Sequence, residues 1–470
     1  MQSNGLEASR VERDYLGEIG IPADKLFGIN SLRGAENLTV SSLTIGHYPA
    51  FVTAFAQCKW AAALANSDVG KLTAAQASAI AAACEDLIAG RFRDSLIVDL
   101  LEGSGGTSTN MNFNEVIANR AAQHLGAAVG EYASVHPNDH VNASQSTNDV
   151  YPAALKIATR ELLKPLAAEV SALADVFASK AAEFCDVLHL GRTCLQDAQP
   201  MTLGQLFGGY AALTRRAACA LSDAGEMLLT LPLGGTAIGT GFGAPAGYRS
   251  AVYSHLAAIT GTSFIPPADP FDAMQNMDVF SRVSGELRTY ATSMAKVASD
   301  LTLLASGPVG GLGELRLPAV QAGSSIMPGK VNPVLPMAMI QIAFAVSGND
   351  VSISSAVQYG QLEINHFEPV VADRLFDSIT LLTNGTRLFR EKCVAKIEAD
   401  MVANEAHLLN SMALATALVP SLGYAHVSKL ARRSVDEGRP LLEILEEGGI
   451  LGREAALQLV RAAAQPVFYS

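Results

Sequence analysis

The residues best suited to chemistry in this chain lie between Gly307 and Pro333, in the run GPVGGLGELRLPAVQAGSSIMPGKVNP. Its six glycines and four prolines interrupt two helical blocks, leaving a long connection of the kind that compact domains keep for lids and binding loops. Ser324 and Ser325 sit between Gly323 and Pro328, where their hydroxyls and the neighbouring backbone N–H groups are available to a ligand. Lys330 adds one cation and Asn332 one amide. A plain Gly/Pro linker does not concentrate Ser-Ser, Lys and Asn beside an apolar helix.

Three more segments carry related groups. Gly103 to Asn114, GSGGTSTNMNFN, places Thr107, Ser108 and Thr109 after a glycine turn, then Asn110, Asn112 and Asn114 ahead of a helical pattern over Glu115 to His124. Free N–H groups and small hydroxyls at a helix start suit a carboxylate or a phosphate. The segment lacks the Walker lysine and the glycine spacing of a dinucleotide loop, which disfavours a nucleotide. Asn142 to Asp149, NASQSTND, offers Ser146, Thr147 and Asn148, residues that serve caps and turns as readily as a site. Gly191 to Gln205, GRTCLQDAQPMTLGQ, gathers Arg192, Thr193, Cys194, Gln196 and Asp197. Arg192 and Asp197 can pair structurally, and Cys194 has no nearby histidine in sequence to make it a thiolate. Four distant segments thus supply neutral donors and one lysine, without an acidic pair, a Cys–His pair or metal-ligand spacing. That set suits a small dicarboxylate and calls for neither metal nor organic cofactor.

The elements that must bring these segments together are helical. From Leu287 the apolar residues Tyr290, Met294, Val297, Leu301 and Leu304 follow in steps of three and four, the seam of a long packed helix. A second seam carries Leu162, Leu166, Val170, Leu173 and Phe177, with Pro165 expected to kink or interrupt its early part. Met337 to Val346 is apolar or small almost throughout, which predicts a helix buried on all sides. Period-two patterns are rare and short. The expected class is all-α, a helical bundle with sites formed by facing helices and their loops. Boundaries near Asn142 and Ile397 divide it into an N-terminal domain (1–142), a central bundle domain (143–397) and a small C-terminal helical domain (398–470).

Composition narrows the function. Apolar residues make up 49% of the 470 and charged ones 17%, which excludes intrinsic disorder and favours an oligomer with extensive buried interface. A net charge of −12 repels phosphate backbones and argues against non-specific nucleic-acid binding. The six cysteines are scattered singly, without CxxC or CxxH spacing, and read mostly as small core hydrophobes in a reducing compartment. No leader pattern is apparent at the N-terminus and no stretch is apolar enough to span a bilayer, so a cytoplasmic protein without a membrane partner is expected.

Taken together, these residues resemble the aspartase/fumarase superfamily over nearly the whole chain. GSSIMPGKVNP from Gly323 matches its highly specific signature; GTSTNMNFNEVIANRA from Gly106, HPNDHVNASQSTND from His136, GRTCLQDAQPMTLGQ from Gly191 and LGGTAIGTG from Leu233 support it. The resemblance implies an all-α, three-domain fold and a homotetramer around a long-helix bundle, with each active site built from three subunits. Within the superfamily, FGINSLRGAENL from Phe27, VDLLEGSGGTSTNMN from Val98 and DAMQNMD from Asp272 are similar to aspartate ammonia-lyases, whereas HPNDHVN is fumarase-like and matches those enzymes' accessory-site loop.

The implied reaction is loss of ammonia from aspartate through an aci-carboxylate. Ser324 would be the base; Thr107, Ser146, Thr147 and Ser325 would donate to the β-carboxylate; Lys330, Asn332 and Thr193 would hold the α-carboxylate. Asn148 with Thr107 would orient the amino group, and Asn110 and Cys194 would also line the site. Cys194 stands where fumarases and some aspartases carry histidine and others glutamine, and Met337 where that histidine's glutamate partner falls, a glutamate that aspartases also usually keep. Losing both together avoids a buried unpaired carboxylate. Fumarate hydration, elimination from an N-substituted aspartate and a catalytically silent structural role are the alternatives the resemblance leaves open.

Overall fold

A computed structural model describes residues 9–465. They divide into two compact units interleaved along the chain: residues up to 167 with 220–288 and 345–381, and residues 168–219 with 289–344 and the remainder from 382. The architecture is all-α, as the sequence implies, with three small two-stranded antiparallel sheets, two of them hairpins, as the strand content of the described residues.

The first unit opens with hairpin β1 (Ser9–Asp14) and β2 (Gly17–Pro22), followed by α1 (Ile29–Asn37), α2 (Pro49–Asp68), α3 (Ala74–Ile88) and α4 (Thr107–His124). Each start has a local cause. Pro49 occupies the first turn of α2, where its missing N–H costs nothing, and Thr73 closes a capping box with Gln76 at the head of α3. α5 (Thr147–Glu183) begins in this unit and passes into the other. An aromatic cluster seats the heads of α4 and α5: Phe55 stacks on Phe113 at 4.2 Å, and Phe51 meets the ring of Tyr151 at 5.3 Å. The unit also holds α7 (Tyr248–Thr260) and α8 (Pro270–Gln275).

The second unit holds hairpin β3 (Leu188–Thr193) and β4 (Gln196–Thr202) and the long connection between α9 (Asp278–Leu304) and α10 (Val334–Gln358); α6 (Leu203–Glu226), α9 and α10 each run from one unit into the other. The predicted α9 seam is buried from Leu287 to Leu304. After α11 (Glu368–Lys392) the chain closes with α12 (Met401–Asn410), α13 (Ala413–Leu422), α14 (Tyr424–Glu437), α15 (Leu441–Glu447) and α16 (Arg453–Ala463). The apolar faces of these last helices form one cluster with Leu188 and Leu190, so the C-terminal segment packs on the β3–β4 hairpin.

Five expectations are corrected. α5 runs unbroken through Pro152 and Pro165. A proline inside a helix costs about 3 kcal/mol, but buried Leu163, Leu166, Val170, Leu173 and Phe177 flank it, each contributing roughly 1.5–3 kcal/mol. Leu163 rather than Leu162 fills the seam at that turn. α4 begins at Thr107, not Glu115, because Gly106 takes a left-handed φ of 85° and lets the helix start immediately. Cys58, Cys84 and Cys393 are core residues, but Cys185, Cys194 and Cys219 are exposed. Finally, α10 is not buried on all sides: Met337, Phe344 and Val351, spaced by sevens, are 46%, 70% and 66% exposed.

Candidate active site

The predicted residues fall in two groups, one in each unit. In the first unit the left-handed turn at Gly106 brings α4 against α5. A Cβ there would lie 2.6 Å from the Tyr151 ring and 3.2 Å from the Thr147 methyl, so only glycine allows the approach that sets Thr107 beside Thr147. Thr107 is exposed at its helix start and Asn110, one turn on, is buried.

Residues 146–149 form the turn into α5. Asp149, fully buried, accepts the Ser146 N–H at 2.9 Å and the N–H groups of Gly234 and Thr236 at 3.0 and 3.1 Å. Beside it, Asn148 Nδ2 donates to Ala237 O at 2.8 Å and its N–H reaches Ser146 Oγ at 3.3 Å. The LGGTAIGTG segment is thus tied to the STND turn by two consecutive side chains. Burial pushes the Asp149 carboxyl up to about 6, against the opposing pull of the three N–H donors and of Lys59.

Behind these turns lies Lys59, wholly buried on α2, with Nζ donating to Asn142 Oδ1 at 3.0 Å. Asn110 and Asn114 donate to the same oxygen, each at 3.1 Å. Burial pulls the Lys59 amine down to about 7, with Asp149 opposing. Motif spacing does not point to Lys59; a lone lysine inside the Ala-rich run FAQCKWAAAL is the signal that marks it. Asn112 turns out to be structural, donating to Ser31 Oγ and to Ser95 O.

In the second unit the signature loop has a closed neck. Gly323 N–H donates to Lys330 O at 2.9 Å, and Asn332 Nδ2 donates to Gly323 O at 2.7 Å. A Cβ on Gly323 would meet Lys330 O at 2.5 Å, so this crossing demands glycine. Within the loop, Ser324 Oγ accepts the N–H groups of Ile326 and Met327 at 3.2 and 3.1 Å. Two donors on one hydroxyl oxygen favour its anionic form, as a base requires. The loop wraps a cavity of about 380 Å³ lined by residues between Ala319 and Val331, including Ser324 and Lys330. Ser325 and Lys330 are exposed, and Asn332 gives one of its two amide hydrogens to the neck.

Thr193 and Cys194 stand at the exposed tip of the β3–β4 hairpin. Its two-residue turn puts Cys194 at φ 52° and Leu195 at φ 61°, the mirror-image turn that asparagine and glycine usually fill. The expected Arg192–Asp197 pair does not form. Arg192 instead grips Glu314 through both ends of its guanidinium, at 3.0 and 2.5 Å, while His407 Nδ1 lies 2.7 Å from the same carboxylate. Glu314 is fully buried, and these partners hold its carboxyl below the usual range against the cost of burial. Glu314 was hidden in the Gly/Pro-rich run, where no local spacing reveals a partner more than a hundred residues away.

Among the described residues no group of His, Cys, Asp and Glu is arranged to hold a metal ion. The first unit thus presents small hydroxyls and amides, and the signature loop of the second presents two serines and one exposed lysine, residue types able to bind carboxylates.

The model of the family described as Lyase matches residues 17–348, and this chain belongs to that family, within the aspartase/fumarase superfamily. It is 45% identical over 445 residues to an aspartate ammonia-lyase of Helicobacter pylori strain J99, covering 95% of both chains. With the aspartate ammonia-lyase of Escherichia coli K12 the identity is 40%, over 94% of this chain and 93% of the other. Among solved structures, a fumarate lyase:delta crystallin from Brucella melitensis bound to cobalt superposes with a TM-score of 0.94 at 42% identity, over 98% of this chain and all 100% of that one. A class II fumarase from Schistosoma mansoni gives 0.89 at 32% identity, over 96% and 98%.

Proposed function

We propose that this protein is a carbon–nitrogen lyase that eliminates ammonia from L-aspartate to give fumarate. What carries the reading is its match, along nearly the whole chain, to proteins that are aspartate ammonia-lyases. The class II fumarase likeness supports hydration as a second reading. Against it stands Cys194, an exposed thiol in place of the histidine that fumarases use.

The difficult step is removal of the weakly acidic Cβ proton, which leaves charge spread over the β-carboxylate. Ser324 takes that proton, its alkoxide held by the Ile326 and Met327 N–H groups. Thr107, Ser146, Thr147 and Ser325 donate to the β-carboxylate and gain strength as charge develops there. Lys330, Thr193 and Asn332 hold the α-carboxylate, and Asn148 orients the amine for anti elimination. Cys194 lines the amine side as a small, weakly polar group. Closure of the signature loop excludes water and strengthens each of these contacts.

The working form is a homotetramer in the cytoplasm. The exposed seven-residue repeat of Met337, Phe344 and Val351 supports assembly, since an apolar stripe of this length on a long helix is the surface a helix partner covers. Fumarate absorbance on addition of aspartate, malate or an N-substituted aspartate tests the substrate. Malate dehydration equal to or above aspartate deamination at saturation would overturn the assignment in favour of fumarase; activity on an N-substituted aspartate alone would move it to another C–N lyase.

A further inference from the structure

An ammonium group and a carboxylate ask opposite things of a site: the first needs acceptors, the second donors. An asparagine amide can serve either, depending on which way it is turned, and that is decided by its other partners. Asn148 is settled by a backbone carbonyl. Its Nδ2 donates to Ala237 O, so its Oδ1 is the atom left to offer. Asn110 is settled at one remove. Lys59 Nζ donates to Asn142 Oδ1, and Asn142 Nδ2 donates to Gln145 O at 3.3 Å, which together fix the Asn142 amide with its oxygen toward Lys59. The group Asn110 turns to that oxygen must therefore be its NH2, as observed at 3.1 Å. Asn110 Oδ1 is then a buried acceptor without a partner, on a residue only 2% exposed. It lies three residues after Thr107 on α4, hence on the same helix face.

We infer that Asn110 Oδ1 is an acceptor for the substrate ammonium group, and that Lys59, acting through Asn142, is the positioning residue that keeps it turned that way. With Asn148 Oδ1 it gives the amine two carbonyl acceptors. A hydroxyl in the same place has one hydrogen to donate and leaves one acceptor empty, so the pair discriminates amine from alcohol. The inference rests on the ammonia-lyase reading and names the determinant of its specificity.

The test uses the full-length protein with aspartate as substrate and succinate, which has both carboxylates and no amine, as competitive inhibitor. Asn110→Leu is expected to raise KM for aspartate roughly tenfold or more, the size of one lost hydrogen bond to a charged group, while the succinate inhibition constant stays within about twofold. Lys59→Met is expected to show the same split in smaller measure, because the amides are freed to turn rather than removed. If Lys59→Met does not fold, Asn110→Leu alone decides. Parallel losses for aspartate and succinate, or no loss for either, would overturn the acceptor assignment while leaving the reaction intact. Wild-type protein that releases no fumarate from aspartate would overturn the reaction itself.

Discussion

The turns that carry Thr107, Ser146, Thr147 and Asn148 and the loop that carries Ser324 and Lys330 bring similar side chains, yet they are held in contrasting ways. The first are locked from behind. Asp149 binds three N–H groups, Asn142 Oδ1 gathers three donors, and Gly106 packs on Tyr151 and Thr147. The second is closed at its neck by Gly323, Lys330 and Asn332, but beyond it Ile326 is 84% exposed and Met327 nearly half. The division suits the proposed mechanism, in which groups that only bind are best fixed in advance and a base on the loop must first admit substrate and then be shut away from water.

Five substitutions sharpen or break that contrast. Ser324→Ala should lower turnover by about 10²–10⁴-fold, the usual cost of removing a general base, with assembly and thermal midpoint unchanged. Fumarate absorbance and light scattering report both, and near-normal turnover would remove Ser324 as base. Lys330→Ala should weaken succinate binding about 10–100-fold without loss of stability, because its charge is exposed and not part of the fold; calorimetry showing equal affinity would take Lys330 out of the site. Asp149→Asn should do the reverse of the loop variants. Its NH2 would face N–H groups that now meet an oxygen, lowering stability by about 1–3 kcal/mol in urea titration. An unchanged denaturation midpoint would contradict the locked description of that turn.

The fourth concerns pH. Lys59 has an amine lowered by burial from its ordinary 10.5 to about 7. Between those values the unfolded chain binds the extra proton, so this group's contribution to stability rises with pH above about 7 and falls as pH drops toward it. Replacing it in Lys59→Met should flatten the melting-temperature profile of wild type between about pH 7.5 and 9.5, and parallel profiles would exclude a depressed amine. Asp149, raised to about 6, works in the opposite sense, its contribution being lost as pH rises from about 4 through 6. The smallest effect is expected at Cys194→Ser, which should retain deamination within a few-fold, about 1 kcal/mol or less of barrier, since no cation stands ready to make a thiolate. Complete inactivation would give the thiol a chemical role.

How much of this was legible beforehand depends on the range of the interaction. The seam from Leu287 to Leu304 was readable because helical periodicity is local, and the site segments because glycine, hydroxyl and amide side chains cluster within a few residues. Lys59, Asn142 and Asn110 are joined across 83 and 32 residues, and Arg192 with Glu314 across 122, separations over which residue type alone names no partner. The α10 prediction failed differently. An all-apolar run says that a helix will be covered, not by which chain, and in one isolated chain Met337, Phe344 and Val351 stay bare.

Those three side chains also determine how the protein behaves when scarce. A freshly folded chain carries Phe344 largely in water, so in the proposed homotetramer both solubility and stability would depend on how soon it meets copies of itself. Left bare at low abundance, the stripe is open to misassociation with any apolar surface; covered by the proposed assembly, it would be silent. The melting temperature should therefore fall on dilution, whereas that of a monomer would not depend on concentration.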